Sequence, residues 1–389
     1  MFRSSTASIS SASLPASGAF VLLAVACLTI MVGSAIVPGL PVVAHQLGVE
    51  GFESWLVTMP SVGVVVLGPL AGRLVDKIGL RPGLFCGLFL YGAFGLAAPF
   101  FRGPYAVLFD RFLLGGATAL VMATGTGLIS TFYDGRQRLA MIARQGMAIE
   151  LGGVVFLTIG GWLASRGWWY PFAQYALAWV LLALALRTIP ADENPRRPAN
   201  VQAASGMPKA LLRVYCAAFF SMGCFFVGVI VLPLRFHEMG IGEALTGYFL
   251  AFVSLVAVGF AALMPRLASR AGSNATLVVA FIFYALAHAI FSISGALPAF
   301  FCGAVALGAG FGLSVPLVNH LTVEISPENR RGSALATLSM AIFAGQCIPS
   351  FMHYSPGHTA NLFRAAAAMG LLVALGLPLF QRAFQAKTD

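Results

Sequence analysis

The sequence predicts an all-α integral membrane protein with twelve transmembrane helices in two six-helix, pseudo-symmetric halves. Three observations support this fold class. Of the 389 residues, 59% are hydrophobic and only 9% are charged, whereas soluble domains carry about 25% charged residues. Twelve apolar runs are each long enough to cross a bilayer as a helix, which takes roughly 20 residues. A polar segment and a set of repeated matches divide these runs into two groups of six.

The apolar runs are continuous, unlike the alternating segments of about ten residues that form a transmembrane β-barrel. We therefore expect each run to be a helix. The runs cover residues 19–44, 54–72, 83–101, 105–132, 139–165, 168–187, 211–234, 245–265, 274–294, 298–323, 334–353 and 361–381.

Positive charge is distributed unevenly between the two faces that these spans define. If the spans alternate in direction, 18 of the 23 Lys and Arg residues lie at one face and four at the other, while Arg111 lies within a span. Cytoplasmic loops carry an excess of Lys and Arg, so we expect a multi-pass plasma membrane protein (the inner membrane of a bacterium) with both termini in the cytoplasm. The net charge of +10 then reflects topology, and no nucleic-acid partner is expected.

The six cysteines all lie in apolar runs and form no CxxC pair. We interpret them as small core residues, and we expect neither disulfides nor a metal site. The sequence also lacks a GxxxxGK(S/T) loop, an HExxH motif and a GxSxG motif, which argues against ATP drive and against an enzyme. No cofactor is therefore expected.

The longest polar segment, TIPADENPRRPANVQAASGMPK at 188–209, separates the spans six and six. We predict an N-terminal bundle over 1–187, a cytoplasmic linker over 188–209 and a C-terminal bundle over 210–389. The bundles match at a nearly constant offset: PVVAHQLG at 41–48 matches PLRFHEMG at 233–240, and RLVDKIG at 73–79 matches RLASRAG at 266–272. An even number of spans in each half makes the repeats parallel, and such repeats hold a binding site near the membrane midplane between them.

Several stretches resemble the signature motifs of the major facilitator superfamily. Residues 72–81, GRLVDKIGLR, look like its motif A, Gly-x-Leu-x-Asp-(Arg/Lys)-x-Gly-x-(Arg/Lys), between spans 2 and 3. Residues 108–115, LFDRFLLG, look like motif B on span 4, and PGLP at 38–41 is similar to the drug:proton antiporter branch. The resemblance covers the whole chain and implies the major facilitator fold, with a cavity lined by spans 1, 4, 7 and 10.

The antiporter motif, motif C, is present only in part. Gly152 and Gly160-Gly161 on span 5 stand where that motif has glycines, but Phe156-Leu157 replaces its Gly-Pro pair. The resemblance implies a monomeric secondary transporter that exports a small organic molecule, such as a drug or a secreted metabolite of the siderophore type, in exchange for protons. The missing Gly-Pro keeps a proton symporter that imports a small organic solute as the alternative.

Motif A is interpreted as a latch that holds the cytoplasmic side shut while the outside is open. Gly72 ends a GxxxG step that lets span 2 approach a neighbour, Asp76 is expected just past the helix end, and Gly79 permits a tight reversal. An aspartate there can face the positive end of another helix, a contact worth about 0.3–2 kcal/mol, and the family implies that this helix is span 11. The alternative is an ordinary basic loop. The proposed latch comprises Gly72, Asp76, Lys77, Gly79, Arg81 and Arg331.

Three charges lie deep within spans, namely Asp110, Arg111 and Glu150. Such charges are costly in a bilayer and mark functional sites. Burial disfavours a charged carboxyl and a nearby arginine favours it, so we expect Glu150 to carry protons, with Arg111 tuning it and Asp110 as the second candidate. The alternative is a structural ion pair or a snorkelling carboxylate. The positions 193 residues later are Gly303, Ala304 and Phe343, so ion chemistry is predicted only in the first half.

Four further residues are candidates for the substrate cavity. Phe219 and Phe225 on span 7 would suit an amphiphilic or partly aromatic molecule, although lipid-facing packing is the alternative for each of them. Gln346 on span 11 is predicted to reach the cavity. Asn319 near the cytoplasmic end of span 10 could bind, gate or cap a helix.

Overall fold

The computed structural model describes residues 14–133, 135–190, 209–327, 330–352 and 358–385. Twelve helical segments in these ranges are long and apolar enough to cross a membrane, which confirms the predicted fold class. Residues 191–208 of the predicted linker lie outside the described residues. We number the twelve spans α1 to α12.

The spans divide evenly around the predicted linker. The first six are α1 (Ala16–Leu47), α2 (Glu53–Ile78), α3 (Leu80–Phe100), α4 (Pro104–Phe132), α5 (Gly135–Ala164) and α6 (Tyr170–Thr188). The second six are α7 (Lys209–Glu238), α8 (Glu243–Ala271), α9 (Ser273–Ile293), α10 (Leu297–Ile325), α11 (Arg331–Phe351) and α12 (Thr359–Gln385).

The connections between spans define two faces. The connections after α2, α4, α8 and α10 lie at one end of the bundle together with most of the Lys and Arg residues, and we call this end the basic face. The other end, where α1 connects to α2 and α7 connects to α8, is the opposite face. The charge asymmetry predicts that the basic face is cytoplasmic.

The turn from α2 to α3 consists of one residue, Gly79, with φ +89°. Only glycine takes this backbone conformation without steric cost, so the predicted reversal at Gly79 is confirmed. Gly272, which is 193 residues later, makes the same turn between α8 and α9 with φ +86°. The repeat in the sequence is therefore also a repeat in backbone geometry.

The two halves pair their helices in the same way. In the first half α2 and α3 pack on α4, and α1 packs on α5; in the second half α8 and α9 pack on α10, and α7 packs on α11. Glycines make the closest approaches. A Cβ at Gly115 would lie 2.0 Å from the Pro60 carbonyl oxygen, and one at Gly308, the equivalent position, would lie 2.6 Å from that of Val253. These backbones are thus in direct contact, as small residues allow in membrane helices.

The halves contact each other near the opposite face. A Cβ at Gly161 of α5 would lie 2.7 Å from the Glu243 carbonyl oxygen and 2.8 Å from the Gly247 Cα of α8. Further towards the basic face, a Cβ at Gly146 or at Gly259 would have no heavy atom within 4 Å. The α5–α8 contact is therefore tight at one end only, and the cleft between the halves widens towards the basic face.

Helix α1 is interrupted before it reaches the opposite face. Its first part, Ala16–Ser34, gives way to a 3-10 turn at Val37–Gly39, and its second part is Leu40–Leu47. Pro38 lacks a backbone N–H and cannot donate to the Ser34 carbonyl, and Gly39 follows it directly, so the regular helix is weakened at this position. The interruption lies at the closed end of the cleft.

Candidate functional site

A cleft that is partly open to solvent lies between the two halves, with about 660 Å³ of empty space when the open solvent at its mouth is included. It is lined by residues from α1, α2 and α5 of the first half and from α7, α8, α10 and α11 of the second half. Its wall is mostly apolar, with a few polar side chains, as is usual for small-molecule sites. The cleft is therefore the candidate binding site of the molecule.

Glu150 lies midway along α5 and lines this cleft. Among the described residues that form the wall, it is the only ionisable side chain. Its carboxyl group is half-buried and forms no hydrogen bond or ion pair within the described part of the chain. A carboxyl group in an apolar wall without a partner is free to bind and release a proton or to meet a donor on a bound molecule.

Three phenylalanines form an aromatic section of the wall. The rings of Phe225 and Phe311 lie 4.1 Å apart between centroids, and those of Phe225 and Phe226 lie 6.1 Å apart in an edge-to-face arrangement. Phe225 thus lines the cleft as predicted. Phe219 does not, since it is absent from the wall and its backbone packs instead against Gly345 of α11.

Gln346 lines the cleft and also joins the two halves. Its Oε1 atom accepts a hydrogen bond of 2.5 Å from the Ser61 hydroxyl of α2. Both side chains are buried, so this bond forms away from water. Gln346 therefore reaches the cleft in this structure, and its role towards a substrate stays a prediction. Ser61, which the sequence gave no reason to single out, is its partner.

A second group of contacts closes the cleft between Gln346 and the opposite face. The Thr58 hydroxyl of α2 is hydrogen-bonded to the Ser350 hydroxyl of α11. Beyond it, the rings of Trp55 and Phe351 meet edge to face, 5.4 Å apart between centroids. We call these four residues the opposite-face closure. Together with the α5–α8 contact, they close the cleft towards the opposite face.

Asp110 and Arg111 are buried inside the first half and lie apart from the cleft wall. Arg111 is 0% exposed and Asp110 3% exposed, and the Arg111 Nε atom lies 3.8 Å from the Asp110 Oδ2 atom. Arg111 donates a hydrogen bond of 3.1 Å from Nη1 to the Tyr175 hydroxyl, and its guanidinium lies 5.2 Å above the centre of the Phe172 ring. These contacts take the arginine towards α6.

The expected pairing of Arg111 with Glu150 is not found in this structure. The partners of Arg111 within the described residues are Asp110, Tyr175 and Phe172, whereas Glu150 faces the cleft from α5. The physical reason is direction: α4 presents Arg111 to the interior of its own bundle, where aromatic rings and a hydroxyl replace water around the guanidinium. Sequence position alone does not fix this rotation of the helix.

Motif A lies at the open, basic face. Asp76 is exposed and makes no ion pair or hydrogen bond within the described residues. The expectation that it follows the helix end is wrong, because α2 continues to Ile78. The carboxylate therefore sits in the last turn of its own helix, where a negative charge is unfavourable. The close approach expected at Gly72 is also absent, since a Cβ there would have no heavy atom within 4 Å.

The remaining members of motif A contact their surroundings at the basic face. Lys77 is exposed, and Arg81 donates a hydrogen bond of 3.0 Å from Nε to the Ile189 carbonyl at the end of α6. Arg331 begins α11 and donates one of 3.2 Å to the Val323 carbonyl of α10. The structure thus does not bring Asp76 to the start of α11, in keeping with a cleft that is open on this side.

Asn319 lies on α10 outside the cleft wall. Its amide donates a hydrogen bond of 2.9 Å to the Val315 carbonyl of the same helix. This contact satisfies the amide locally. Of the four residues predicted for the cavity, Phe225 and Gln346 line it in this structure, and Phe219 and Asn319 do not.

Two six-helix bundles around a cleft, with polar side chains only at selected points of an apolar wall, define a two-domain α-helical membrane protein of the carrier type. Comparison with known proteins gives the family. The model of the Major Facilitator Superfamily matches residues 22–350, and the chain belongs to this superfamily.

Curated relatives match about half of the chain or less. Multidrug resistance protein 1 of Bacillus subtilis is 25% identical over 186 residues, which are 48% of this chain and 47% of that protein. The probable actinorhodin transporter of Streptomyces coelicolor is 25% identical over 185 residues, 46% of this chain and 32% of that protein. The methyl viologen resistance protein SmvA of Salmonella typhimurium is 30% identical over 184 residues, 46% of this chain and 37% of that protein. The chain therefore matches less than half the length of each.

Solved structures resemble the chain over nearly its full length. A peptide transporter POT in complex with sulfate has a TM-score of 0.74 and 15% identity, covering 94% of both chains. A D-xylose-proton symporter has a TM-score of 0.73 and 17% identity, covering 92% of this chain and 96% of that one. At this identity the likeness shows the fold alone.

Proposed function

We propose that this protein is a proton-coupled secondary transporter that exports a small organic molecule across the membrane by alternating access. The observation that carries the proposal is Glu150, a carboxyl group in the apolar wall of a cleft between the two halves. It has no hydrogen-bond or ion-pair partner among the described residues. A group in this position can be loaded with a proton from one side and unloaded to the other when the cleft reverses its opening. The names of the relatives, which refer to drug resistance and to an actinorhodin transporter, support export of an organic compound.

The cargo is expected to be amphiphilic or partly aromatic. The wall offers the rings of Phe225, Phe226 and Phe311 on one side and the carboxyl group of Glu150 on another. Aromatic rings bury a large apolar area and lose little conformational entropy on binding. A single chain contains the whole cleft, so the monomer is the proposed transport unit, in the plasma membrane with its basic face in the cytoplasm.

Motif A is proposed to act in the other half of the transport cycle. In this structure the basic face is open, and Asp76 has no hydrogen-bond or ion-pair partner within the part of the chain that the structure describes. Closing that face would bring the last turn of α2 to the beginning of α11 at Arg331, where the N-terminal end of a helix favours a negative charge. The latch of Gly72, Asp76, Lys77, Gly79, Arg81 and Arg331 would then stabilise the state that is open to the opposite side.

Proton-driven transport in everted membrane vesicles tests the proposal. Respiration acidifies the vesicle interior, and a pH-sensitive dye reports the gradient while fluorescent organic compounds are added one by one. An exporter that exchanges its cargo for protons discharges the gradient when the compound is added outside. A symporter that imports its solute would discharge the gradient only when the compound is loaded inside, so the two directions are distinguished in one preparation.

Glu150→Gln is expected to lower the proton-driven rate at least 50-fold, because the amide cannot release a proton. Glu324→Gln is the matched control, since Glu324 is an exposed carboxylate at the basic-face end of α10 and lies outside the cleft wall. Full proton-driven transport by the Glu150→Gln variant would remove Glu150 from the role of carrier. In that case Asp110 is the second candidate, and Asp110→Asn would be tested in the same way.

A further inference from the structure

The interruption of α1 leaves backbone carbonyl groups without their usual helical partners. In a regular helix the Val32 carbonyl would accept from the Ile36 N–H, but that N–H is hydrogen-bonded to the Gly33 carbonyl at 3.2 Å. Buried carbonyl groups need a partner, since leaving one unsatisfied costs about 1–3 kcal/mol. The carbonyls at the break must therefore be satisfied by another element.

That element is the 3-10 segment Tyr170–Ala176 at the beginning of α6. The Tyr175 hydroxyl donates a hydrogen bond of 2.8 Å to the Val32 carbonyl. The neighbouring Gln174 amide donates a longer one, 3.4 Å, to the Ala35 carbonyl. Tyr175 is fully buried, so its bond to α1 is made away from water and is the stronger of the two.

Arg111 determines the direction of this hydroxyl. Its Nη1 atom donates to the Tyr175 oxygen at 3.1 Å, and its guanidinium lies 5.5 Å above the centre of the Tyr175 ring. Arginine can only donate, so the tyrosine oxygen accepts from Arg111 and its single proton points to Val32. A cation on the oxygen also makes the hydroxyl a better donor, because hydrogen bonds in a chain polarise one another.

The segment beyond the break contacts both halves of the molecule. The second part of α1, Leu40–Leu47, packs on α7 and on α2, and the Leu47 carbonyl accepts a hydrogen bond of 2.8 Å from the Gly103 N–H just before α4. The 3-10 turn packs on α5, α7 and α8. A Cβ at Gly39 would lie 2.8 Å from the Ala164 side chain and 3.9 Å from that of Glu243. The break therefore separates a part of α1 that belongs to the first half from a part that covers the closed end of the cleft.

The second half has neither the break nor the arginine. Helix α7, the equivalent of α1, is continuous over Lys209–Glu238, and Ala304 stands at the position equivalent to Arg111. The interrupted helix and the buried cation thus occur together in one half. Their occurrence in the same half is what we expect if the arginine and the interrupted helix act together.

We propose that Arg111 is a positioning residue that holds the bend of α1 through the Tyr175 hydroxyl, and so fixes the segment Leu40–Leu47 over the closed end of the cleft. In the transport cycle proposed above, on which only this consequence rests, the bend is the hinge at which α1 changes direction when the opposite face opens. Arg111 then acts on the closure of the cleft and not on the proton at Glu150.

Spin-label distances in the ligand-free protein test this proposal without transport. One label replaces Gln46, an exposed residue on the second part of α1, and the other replaces Phe20, an exposed residue on the first part of α1, so that their distance reports the bend. All native cysteines are replaced first. Tyr175→Phe is expected to shift the distance between labels by at least 3 Å or to double the width of its distribution. Arg111→Leu is expected to do the same, and the double variant to do no more than the larger single effect, since both act through one chain of hydrogen bonds.

Tyr91→Phe is the matched control. The Tyr91 hydroxyl is also buried and also donates to an α1 carbonyl, that of Leu28 at 2.7 Å, but Leu28 lies within the regular helix, where its carbonyl has an intrahelical partner. This variant should leave the distance between the labels at Gln46 and Phe20 unchanged. A second label pair, at Gln46 and His237 of α7, should keep its distance in all variants because those segments pack together.

Two results would overturn the proposal. One is an unchanged distribution between Gln46 and Phe20 in Tyr175→Phe, a variant that leaves no buried charge unpaired and so tests the proposal even if Arg111→Leu does not fold. The other is the same change in Tyr91→Phe, which would show a general loosening of the first half. Neither result bears on proton-driven export, and failure of the vesicle experiment would leave the distance experiment valid.

Discussion

The two halves of the molecule share one arrangement of helices but bury different kinds of side chain. The first half buries Asp110 and Arg111 on α4, whereas Gly303 and Ala304 occupy the equivalent positions of α10. A Cβ at Gly303 would lie 2.3 Å from the Phe291 ring, so the space that holds a charge in one half holds an aromatic ring in the other. The arrangement of helices can therefore be the same in both halves although this pair of buried charges occurs in only one.

A group of buried hydroxyls in the second half is satisfied by neutral partners. Tyr284, the equivalent of Tyr91, is hydrogen-bonded to the Ser221 hydroxyl at 3.0 Å, and Ser221 is hydrogen-bonded to Ser314 at 2.6 Å. His288 is fully buried, and its Nε2 atom lies 2.8 Å from the Cys224 carbonyl oxygen. The comparison teaches that, among the described residues, the charged pair in the core of a bundle belongs to the first half, whereas the buried hydroxyl cluster of the second half is neutral.

The largest effect is expected from Arg111→Leu, which leaves Asp110 buried without its cation. Removing one partner of a buried pair costs about 3–5 kcal/mol, and thermal unfolding in detergent should show a loss of this size in the free energy of unfolding. Arg235→Leu is the control, because that arginine belongs to a partly exposed pair with Glu238 at 3.2 Å and should cost about 1 kcal/mol or less. A loss below 1 kcal/mol in Arg111→Leu would contradict the difference between the halves.

The second prediction concerns the contact between α5 and α8, to which each half contributes one glycine. Gly161→Val or Gly247→Val places a Cβ 2.6–2.8 Å from backbone atoms of the partner helix, which cannot move aside. The α5–α8 contact should separate, and a cysteine replacing Ser350 should react with an impermeant thiol reagent from the opposite side about tenfold faster, equivalent to about 1.4 kcal/mol. The variant Gly146→Ala, at an open position, should react at the parent rate. Equal rates in all three variants would mean that the contact does not close the cleft.

The third prediction compares Asp76 with its counterpart Ser269. Asp76→Asn should weaken closure of the basic face by about 0.3–2 kcal/mol, the range for a carboxylate at a helix N-terminus. Spin labels at Arg144 of α5 and Glu324 of α10 report this closure, and the short-distance population should fall by roughly 2- to 30-fold. Ser269→Ala should not change it. If both variants behave alike, motif A is an ordinary basic loop.

The smallest effect is expected from the two equivalent tyrosines. Tyr91→Phe removes one buried hydrogen bond and should cost about 1 kcal/mol in the free energy of unfolding. Tyr284→Phe should cost about half as much, because Ser221 and Ser314 keep their mutual bond. The measurement is again thermal unfolding, with the two variants side by side. A larger loss in Tyr284→Phe would show that the hydroxyl cluster contributes more to the second half than its neutral contacts indicate.

The sequence predicted elements that depend on local properties and failed where helix rotation matters. The twelve spans and the turn at Gly79 follow from apolar length and from the backbone freedom of glycine. The sequence indicated that Glu150, Phe225 and Gln346 face the cleft, but it gave the same weight to Phe219 and Asn319, which do not. A helix places successive residues about 100° apart, so a wrong rotation by one residue moves a side chain from the wall to the packing interface.

The sequence by itself determined that this protein is a duplicated twelve-span membrane protein of the Major Facilitator Superfamily, because hydrophobic length, charge asymmetry and motif spacing are properties of the linear chain. Only the tertiary structure decided which buried groups meet: Arg111 with Tyr175, 64 residues away, and Ser61 with Gln346, 285 residues away. Such partners come from different spans, and their choice depends on the rotation of each helix and on which end of the cleft is closed. Those are properties of the packed molecule, and no local pattern encodes them.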